Sequence, residues 1–434
     1  MEKFPDLKQF GDLPGPCKWS GGVLGPDGIT IFGIPATAEE VLAINTVDHT
    51  VETFGSLESG ALMSGNKWCS GILGPDNRTI YCVPSSAQSV LLIDTVDRHL
   101  EELGKVDNGA SKWSGAVLGE DGVTIFCVPS NATEVMAIET QDRRLRFFGK
   151  LPESSNKWSG GVLGPDGRTI FCMPMNRHSV LAIDTREFTV EEIGGSLPID
   201  CYSWNDGIVG ADAETVFGIP LNAEHVLAVN SKSHTIEEFG HLPGKRKWRG
   251  GVLGPDKVTV YGIPAGSSSV LMLNTRMRTV KTFGNITGSR LYPGWKWSGG
   301  VFVPSSNTIF CIPMNADSVL AIGPLPEEET AAVSQPLQPL VPNALTPPRL
   351  SSAPPTSSPK GSPLSPLTPS AQLTASEQQY WLRQTRHLFA RPSFVQPSRH
   401  SSIASPTSHR HSSIASPASL RRAGSSGTNG GQPH

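Results

Sequence analysis

Apolar and polar residues follow one pattern that recurs seven times between residues 7 and 325. In the copy at 157–194, four short runs are rich in Val, Ile, Phe and Thr, the residues that favour β-strands. We call these runs strands a, b, c and d, and they cover 158–163, 169–172, 179–185 and 189–193. Short strands separated by polar turns predict an antiparallel meander.

The residues between the strands are typical of tight turns. Pro165-Asp166-Gly167 joins strand a to strand b, where proline presets one backbone angle and glycine takes a conformation that other residues resist. Pro174 closes strand b, because proline has no N–H to donate to a sheet. Each unit of about 45 residues is a sheet that needs neighbouring copies to cover its faces, as a propeller blade does.

A tryptophan opens strand a in every copy and supplies the blade count. The tryptophans are Trp19, Trp68, Trp113, Trp158, Trp204, Trp248 and Trp297, at spacings of 49, 45, 45, 46, 44 and 49 residues. The proline after strand b keeps the same register, at Pro35, Pro84, Pro129, Pro174, Pro220, Pro264 and Pro313. Both columns predict seven blades.

The two ends of the repeat region predict a closed ring. The last copy lacks strand d, because Gly323-Pro324-Leu325-Pro326 replaces the polar turn. A surplus strand of the d type stands at 7–11, and we expect it to pair with 318–322 and remove two exposed sheet edges. The predicted fold class is all-β: a closed seven-bladed β-propeller of four-stranded antiparallel blades at 1–325, with the N-terminal strand completing the last blade.

Composition changes beyond the repeats. Residues 326–434 are rich in Pro and Ser and poor in large apolar residues, which predicts a disordered basic tail. Within it, 376–391 has a capping signal and an apolar face and predicts a short helix. From residue 330 onward there are nine Lys or Arg against one acid, Glu377, so the net −3 divides into +8 for the tail and −11 for the rest. Opposite charges favour contact between tail and body.

A short repeat near the C-terminus carries candidate phosphorylation sites. The segment 399–406, RHSSIASP, is copied at 410–417. Ser402 and Ser413 follow an arginine by three residues, as in sites of basophilic kinases, while Ser405 and Ser416 precede a proline. A kinase acting there would lower the positive charge of the tail. The alternative is a serine-rich tail without regulation.

Composition and charge narrow the classes of function. No apolar run is long enough for a signal peptide or a membrane span, so we expect a cytoplasmic protein, with the nucleus as the alternative, and no membrane partner. An acidic body disfavours nucleic acid as a partner.

Seven cysteines without a CxxC pair indicate neither a disulfide framework nor a zinc site, and no metal or cofactor site is predicted. Four of them share a strand b column with glycines, which indicates a place for small side chains, at Cys82, Cys127, Cys172 and Cys311.

A lysine precedes the strand a tryptophan in six copies, at Lys18, Lys67, Lys112, Lys157, Lys247 and Lys296. Strand a is the innermost strand of a blade, so one hypothesis places these ammonium groups in a cationic ring at the axial mouth, where an anionic ligand or acidic peptide would bind. The other hypothesis pairs each lysine with a strand c carboxylate, such as Asp94, Glu139 or Asp184, as a repeated structural bridge.

Departures from the repeat are better candidates for function, because stacking between blades does not explain them. The fifth copy has Ser203 in place of the lysine and Asp206 where other copies have Ser or Gly. An acid on the inner strand could orient a ligand or bind a cation, and neutral drift of one copy is the alternative. A longer connection before the last strand a adds Tyr292 and Trp295 to the same rim, where an exposed aromatic could anchor a partner.

No catalytic constellation is present in the sequence. The histidines share no column, and neighbouring acids such as Glu191 and Glu192 point to opposite faces of a strand. We therefore predict a recognition scaffold, rather than an enzyme, that binds a protein partner or anionic ligand on the rim carrying the Lys-Trp and Pro-x-Asn loops. The alternative is a propeller enzyme, a lyase or hydrolase, with an axial site near Asp206.

The repeat unit resembles the kelch-like, NHL-like and YVTN-like propeller groups. The resemblance rests on the turn Pro165-Asp166-Gly167, the aromatic strand after it and a V-L-x-I-D-T strand at 180–185. The paired glycine with distant Tyr and Trp of kelch repeats is absent, as is the Trp-Asp ending of WD repeats. In layout the chain is also similar to the bacterial streptogramin lyases, whose catalytic histidine and acid match no positions here. The resemblance implies recognition of a protein or a ligand.

Overall fold

A computed structural model describes residues 4–57, 66–198, 201–288 and 294–326 of the 434-residue chain. These residues form seven four-stranded antiparallel sheets arranged as the blades of a propeller, which confirms the predicted fold class. Within the described ranges, no helix could span a membrane. Tyr292, the helix predicted at 376–391 and the serines proposed for phosphorylation, Ser402, Ser405, Ser413 and Ser416, lie outside the described residues.

The blades are numbered from the N-terminus, and strands a to d of each blade follow one another in the sheet. The N-terminal strand is β1 (Leu7–Phe10). Blades 1 to 3 contain, in blade 1, β2 (Trp19–Leu24), β3 (Thr30–Pro35), β4 (Val41–Asn45) and β5 (Thr50–Phe54); in blade 2, β6 (Trp68–Leu73), β7 (Thr79–Pro84), β8 (Val90–Asp94) and β9 (Leu100–Leu103); and in blade 3, β10 (Trp113–Leu118), β11 (Thr124–Pro129), β12 (Val135–Glu139) and β13 (Arg144–Phe148).

Blades 4 to 7 contain, in blade 4, β14 (Trp158–Leu163), β15 (Thr169–Pro174), β16 (Val180–Asp184) and β17 (Thr189–Ile193); in blade 5, β18 (Trp204–Val209), β19 (Thr215–Pro220), β20 (Val226–Asn230) and β21 (Ile236–Phe239); in blade 6, β22 (Trp248–Leu253), β23 (Thr259–Pro264), β24 (Val270–Asn274) and β25 (Thr279–Phe283); and in blade 7, β26 (Trp297–Val303), β27 (Thr308–Pro313) and β28 (Val319–Ile322). A short 3-10 turn at Pro304–Ser306 lies between β26 and β27.

The N-terminal strand closes the ring. β1 pairs antiparallel with β28, and Leu7 lies opposite Ile322 while Phe10 lies opposite Val319. Each inner strand contacts the inner strands of both neighbouring blades, and β26 contacts β2 in the same way. The predicted closure at 7–11 is therefore confirmed, and blade 7 takes its outer strand from the opposite end of the repeat region.

The core is divided into seven apolar clusters, and each fills the space between two adjacent blades. Between blades 3 and 4, for example, Phe126 packs with Trp158 and Ile170. Every strand a tryptophan is buried, and its indole N–H donates to the backbone carbonyl 21 residues later in its own blade. The strand b cysteines are buried and free, so this column serves packing between strands.

A β-bulge in strand a shapes the axis of the propeller. In each blade the tryptophan lies opposite the proline that ends strand b, and the pairing then slips by one residue. The residue at the slip has a left-handed backbone in six of the seven blades, and five of those six residues are glycine. This bulge turns the two residues after the tryptophan toward the central channel, where the candidate site lies.

Candidate functional site

The seven inner strands surround a central channel with a volume of about 170 Å³. Its walls are formed by the two or three residues that follow each tryptophan, and most of these residues are Ser or Gly. The positions that depart from this composition most in size and polarity are Cys69, Asn205, Asp206 and Arg249. The larger and more polar side chains of the channel therefore come from blades 2, 5 and 6.

Side chains directly after the tryptophans form hydrogen bonds around the channel. The hydroxyls of Ser20 and Ser298 are 3.1 Å apart, joining blades 1 and 7. On the other side, the Ser114 and Ser159 hydroxyls are 2.9 Å apart, and the Asn205 amide N–H donates to Ser159 Oγ at 2.6 Å. This layer presents small polar groups that can contact a ligand or water in the channel.

Asp206 occupies the bulge position of blade 5 with a left-handed backbone, φ +70°. An L-residue is strained in that conformation, although aspartate tolerates it better than most. Its Oδ1 accepts the N–H of Gly207 at 3.1 Å, and the N–H of Gly251 in blade 6 also donates to the carboxylate. Burial raises the pKa of Asp206 to about 6, and its effect exceeds that of the two hydrogen bonds, which lower the pKa. The structure thus places the sequence-predicted Asp206 in the channel wall.

Arg249 enters the channel from the same position in blade 6 where other blades have Ser, Cys or Asn. Its guanidinium carbon is 5.4 Å from the ring centroid of Trp295, and Nη1 lies 3.8 Å from Sδ of Met314. Within the described residues no carboxylate forms an ion pair with it. Burial lowers the pKa of Arg249, but a guanidinium remains charged at neutral pH.

The mouth of the channel opens on the rim formed by the d–a and b–c connections. We use "mouth" for this opening, a cavity of about 210 Å³ whose larger lining residues are Met175, Tyr202, Leu221, Arg249 and Trp295. Tyr202 and Trp295 both have left-handed backbones, with φ +60° and +54°. Bulky residues rarely adopt this conformation. The mouth thus holds two aromatic side chains at positions of unfavourable backbone geometry, and Trp295 lies on the rim as the sequence predicted.

The six lysines begin strand a near this rim, but their ammonium groups are directed between the blades. The side chains are between 0% and 8% exposed. Nζ of Lys157, for example, donates to the carbonyls of Ala132 at 2.8 Å and Ser154 at 3.2 Å. The other five make the same kind of bond, at Lys18, Lys67, Lys112, Lys247 and Lys296. Burial lowers the pKa of Lys157 to about 8.

This arrangement corrects the geometry behind both lysine hypotheses. An exposed cationic ring does not form, because the ammonium groups are sequestered by loop carbonyls of their own and the preceding blade. The three strand c carboxylates named for such bridges have arginine partners instead: Asp94 pairs with Arg78, Glu139 with Arg144 and Asp184 with Arg168. Strand c ends at the opposite rim, beyond the reach of a lysine at the start of strand a.

The asparagines of the b–c loops also join neighbouring blades. Asn176 Oδ1 accepts the N–H of Tyr202 at 2.8 Å, and Asn222 Oδ1 accepts the N–H of Arg246 at 2.7 Å. Asn131 and Asn315 make the equivalent bond to the residue before the next lysine. Both residues that receive these bonds, Tyr202 and Arg246, have a left-handed backbone, and Tyr202 lines the mouth.

Sequence reasoning missed Arg246 and Arg249. The run Lys245-Arg246-Lys247-Trp248-Arg249 is the most basic of the connections into strand a, and Arg249 breaks the Ser/Cys column just as Asp206 breaks the Gly column. Departure from the repeat, the criterion that selected Asp206, therefore selects Arg249 too. Arg246 also lies by Trp295, with its guanidinium carbon 5.9 Å from the ring centroid.

Nucleophilic and metal chemistry find little support in the described part of the chain. Burial raises the pKa of Cys69 to about 11, so its thiol is protonated at neutral pH, and Sγ lies 3.1 Å from the Trp113 carbonyl. Within the described ranges, no group of three or more His, Cys, Asp or Glu residues could hold a metal ion. The charged groups of the channel are thus Asp206 and Arg249.

No model of a known protein family matches this chain, and no curated protein matches it in sequence. Solved structures match it in fold. A streptogramin B lyase aligns at 14% identity over 73% of this chain and 97% of its own, with a TM-score of 0.60. The hydrazine synthase of Kuenenia stuttgartiensis aligns at 16% identity over 72% and 96%, with a TM-score of 0.54. The extracellular domain of a candidate one-component system from B. thetaiotaomicron aligns at 12% identity over 72% of this chain and 40% of its own, with a TM-score of 0.51. At these identities the likeness shows the propeller fold alone.

Proposed function

We propose that this propeller is a recognition scaffold that binds an anionic group of a protein partner at its mouth, with Arg249 as the main contact. The observation that carries the proposal is the Arg249 guanidinium, partly buried in the opening without a carboxylate partner among the described residues. A charge taken out of water is costly unless a counter-charge accompanies it. An anionic ligand would supply that counter-charge.

The surroundings of Arg249 offer apolar contacts in addition to its charge. Trp295 and Tyr202 offer flat apolar surfaces beside the guanidinium, and large aromatic residues near arginine are typical of the energetic centre of an interface. The hydroxyls of Ser114 and Ser159 also line this opening, and whichever of the two does not donate to the other can donate to an oxyanion. Such a site would take an acidic side chain or a chain terminus from an acidic peptide.

The test is titration of the full chain with an acidic peptide, such as a short Glu-rich sequence, in a calorimeter. We expect Arg249→Ala to weaken binding by about 10- to 100-fold, the usual effect of losing a charge-assisted hydrogen bond. Arg98→Ala is the matched control, because Arg98 also lies over an aromatic ring, Phe54, but pairs with Glu52 away from the channel. Equal affinities for wild type and Arg249→Ala would contradict the proposal.

The second candidate is an enzyme, a lyase or hydrolase, that uses Asp206 as an acid or base. It is favoured by the carboxyl group whose pKa, about 6, is close to that of an effective general acid. Two of the similar folds belong to proteins named as enzymes, a lyase and a synthase. An enzyme would lose turnover in Asp206→Asn while retaining ligand affinity, whereas the scaffold would show no turnover in either protein.

The lysine rim and the tail also belong to the proposal. The six lysines would act by holding the loops of the mouth in place, so that their replacement changes stability before it changes affinity. Phosphorylation of Ser402, Ser405, Ser413 or Ser416 would lower the charge of the basic tail and its attraction to an acidic body. Mass spectrometry of the protein from its own cells would detect these phosphates.

A further inference from the structure

Arginines in the described part of this propeller usually have a carboxylate partner. Eight of the twelve form an ion pair: Arg78, Arg98, Arg143, Arg144, Arg168, Arg177, Arg186 and Arg278. Arg246 and Arg249 do not, within the described residues. Instead, both guanidinium carbons lie within 6 Å of the centroid of one ring, that of Trp295, at 5.9 and 5.4 Å.

Two like charges beside one indole repel each other unless an anion lies between or beside them. The indole face reduces this cost only in part, since a cation over a ring contributes about 0.5–2 kcal/mol. The two arginines are only three residues apart: the Asn222 side chain accepts the backbone N–H of Arg246, and Arg249 is the second residue of the inner strand β22. Blade 6 thus brings two guanidinium groups to one indole of the mouth, and Arg249 itself lines the opening.

Resting on the anion site proposed above, we infer that the mouth prefers a dianionic oxyanion, a phosphate monoester, which Arg246 and Arg249 bind together beside Trp295. A planar guanidinium donates two parallel hydrogen bonds to an oxyanion, and a phosphate has enough oxygens to accept from both arginines. A carboxylate has one negative charge and two oxygens, so it leaves one guanidinium without a counter-charge.

The source of the phosphate is either a phosphorylated side chain in a peptide or a small phosphorylated molecule. The chain itself contains candidate serines in the duplicated RHSSIASP segments, and Ser402 supplies a natural peptide probe. Both sources share the monoester group that the arginines would contact. They differ in the apolar and backbone contacts that Tyr202 and Leu221 could add at the mouth.

The first experiment titrates the full chain with inorganic phosphate, sulfate, acetate and nitrate at equal ionic strength and pH 7.5, by calorimetry. We expect the two dianions to bind at least about tenfold more tightly than the monoanions. Arg246→Ala should remove most of that preference and leave acetate binding in place, while Arg249→Ala should weaken all four ions. Arg98→Ala should change none of them.

The outcomes separate the two proposals. Equal affinity for dianions and monoanions, or an unchanged preference in Arg246→Ala, overturns the phosphate inference while the anion site stands. Absence of binding by every anion, or an unaffected Arg249→Ala, overturns the anion site itself. Arg246→Lys and Arg249→Lys keep the charge if the alanine variants fail to fold, and each should reduce the preference because a lysine cannot donate bidentately.

The second experiment compares a peptide of residues 399–406 phosphorylated at Ser402, the same peptide unphosphorylated, and glycerol phosphate. Tighter binding of the phosphopeptide than of glycerol phosphate, by about tenfold or more, supports a phosphorylated protein segment as the source. Equal affinity supports a small phosphorylated molecule. Binding of sulfate without binding of either monoester overturns the inference.

Discussion

At the scale of single residues, unfavourable geometry is concentrated around the channel. Asp206 has a left-handed backbone where five other blades have glycine, and Tyr202 and Trp295 are aromatic residues in the same conformation. Strain of this kind costs about 1–3 kcal/mol at each position and persists where surrounding structure holds it. Tyr202 is held by the Asn176 side chain. The residues that line the mouth are thus placed there at a cost in stability.

Replacing Asp206 by Asn should stabilise the protein. The folded-state pKa of about 6 lies above the ordinary 3.8, so the folded protein binds a proton more tightly between pH 4 and 6, and stability falls as pH rises through that window. Asn keeps an acceptor and tolerates the backbone but carries no charge. We expect Asp206→Asn to be about 1–3 kcal/mol more stable at pH 7 and equal to wild type near pH 4. Urea unfolding at both pH values measures this difference, and Asp12→Asn, at an exposed position, is the control. The prediction is wrong if the free energy of unfolding depends on pH in the same way in wild type and in Asp206→Asn.

Replacing Lys157 should lower the stability of the protein before it changes the affinity of the mouth for an anion. Lys157 is 0% exposed, and Met would leave the Ala132 and Ser154 carbonyls without their ammonium donor. We expect Lys157→Met to lose about 2–3 kcal/mol of unfolding free energy. Lys150→Met, at an exposed position, should stay within about 0.5 kcal/mol of wild type. Chemical denaturation checks both, and a stable Lys157→Met with lost anion affinity would instead support a direct role in binding.

At the scale of the strand, the bulge of strand a determines how closely the blades approach the axis. Gly160 has φ +64°, and a Cβ there would lie 2.5 Å from Cα of Asp206 in the next blade. The contact is between two backbones, so neither side can move away by a rotamer change. Position 160 therefore requires glycine for proximity as well as for conformation.

Gly160→Ala should lower the free energy of unfolding more than the same substitution at a glycine with a similar left-handed backbone elsewhere. Gly167, in the a–b turn of the same blade, has φ +71° and no atom within 4 Å of the place that a methyl group would occupy, so Gly167→Ala carries only the conformational cost of about 1–2 kcal/mol. Gly160→Ala adds a steric clash, and we expect a loss of at least about 3 kcal/mol. Urea unfolding of the two variants provides the comparison. Similar losses would mean that the blades can separate to admit the methyl group.

At the scale of the whole molecule, closure depends on one short strand. β1 covers β28, and Leu7 and Phe10 pack against the clusters that join blade 7 to blades 6 and 1. The strand brings together residues more than 300 positions apart along the chain. Its loss would expose a sheet edge and two cores at once.

Deleting residues 1–11 should therefore destabilise the propeller. We expect a melting temperature lowered by about 10 °C or more, with aggregation through the free edge of β28. Adding a peptide of residues 4–13 should restore the transition, because the peptide can occupy the vacated edge. Differential scanning calorimetry follows both steps. A truncated chain that melts like wild type would show that the ring does not need the strand.

The sequence by itself determined the blade count, the strand order and the closure. These follow from short-range chemistry: alternation defines strands, Pro-Asp-Gly turns join them, and the spacing from Trp19 to Trp297 counts them. The repeat also indicated which connections share a rim, and departures from it singled out Asp206 and Trp295. Tyr292 and the tail serines, such as Ser402, remain predictions.

Tertiary structure alone decided where the charged side chains point. One of the two hypotheses put the ammonium groups of Lys157 and its equivalents in a ring at the mouth. They lie instead among backbone carbonyls between the blades, because those carbonyls are the acceptors within reach of the side chain. Arg246 and Arg249 meet Trp295 because blade 7 follows blade 6 at a fixed angle, which brings together side chains almost 50 residues apart. A pattern that is read blade by blade contains no information on contacts between blades, and the candidate site consists of such contacts.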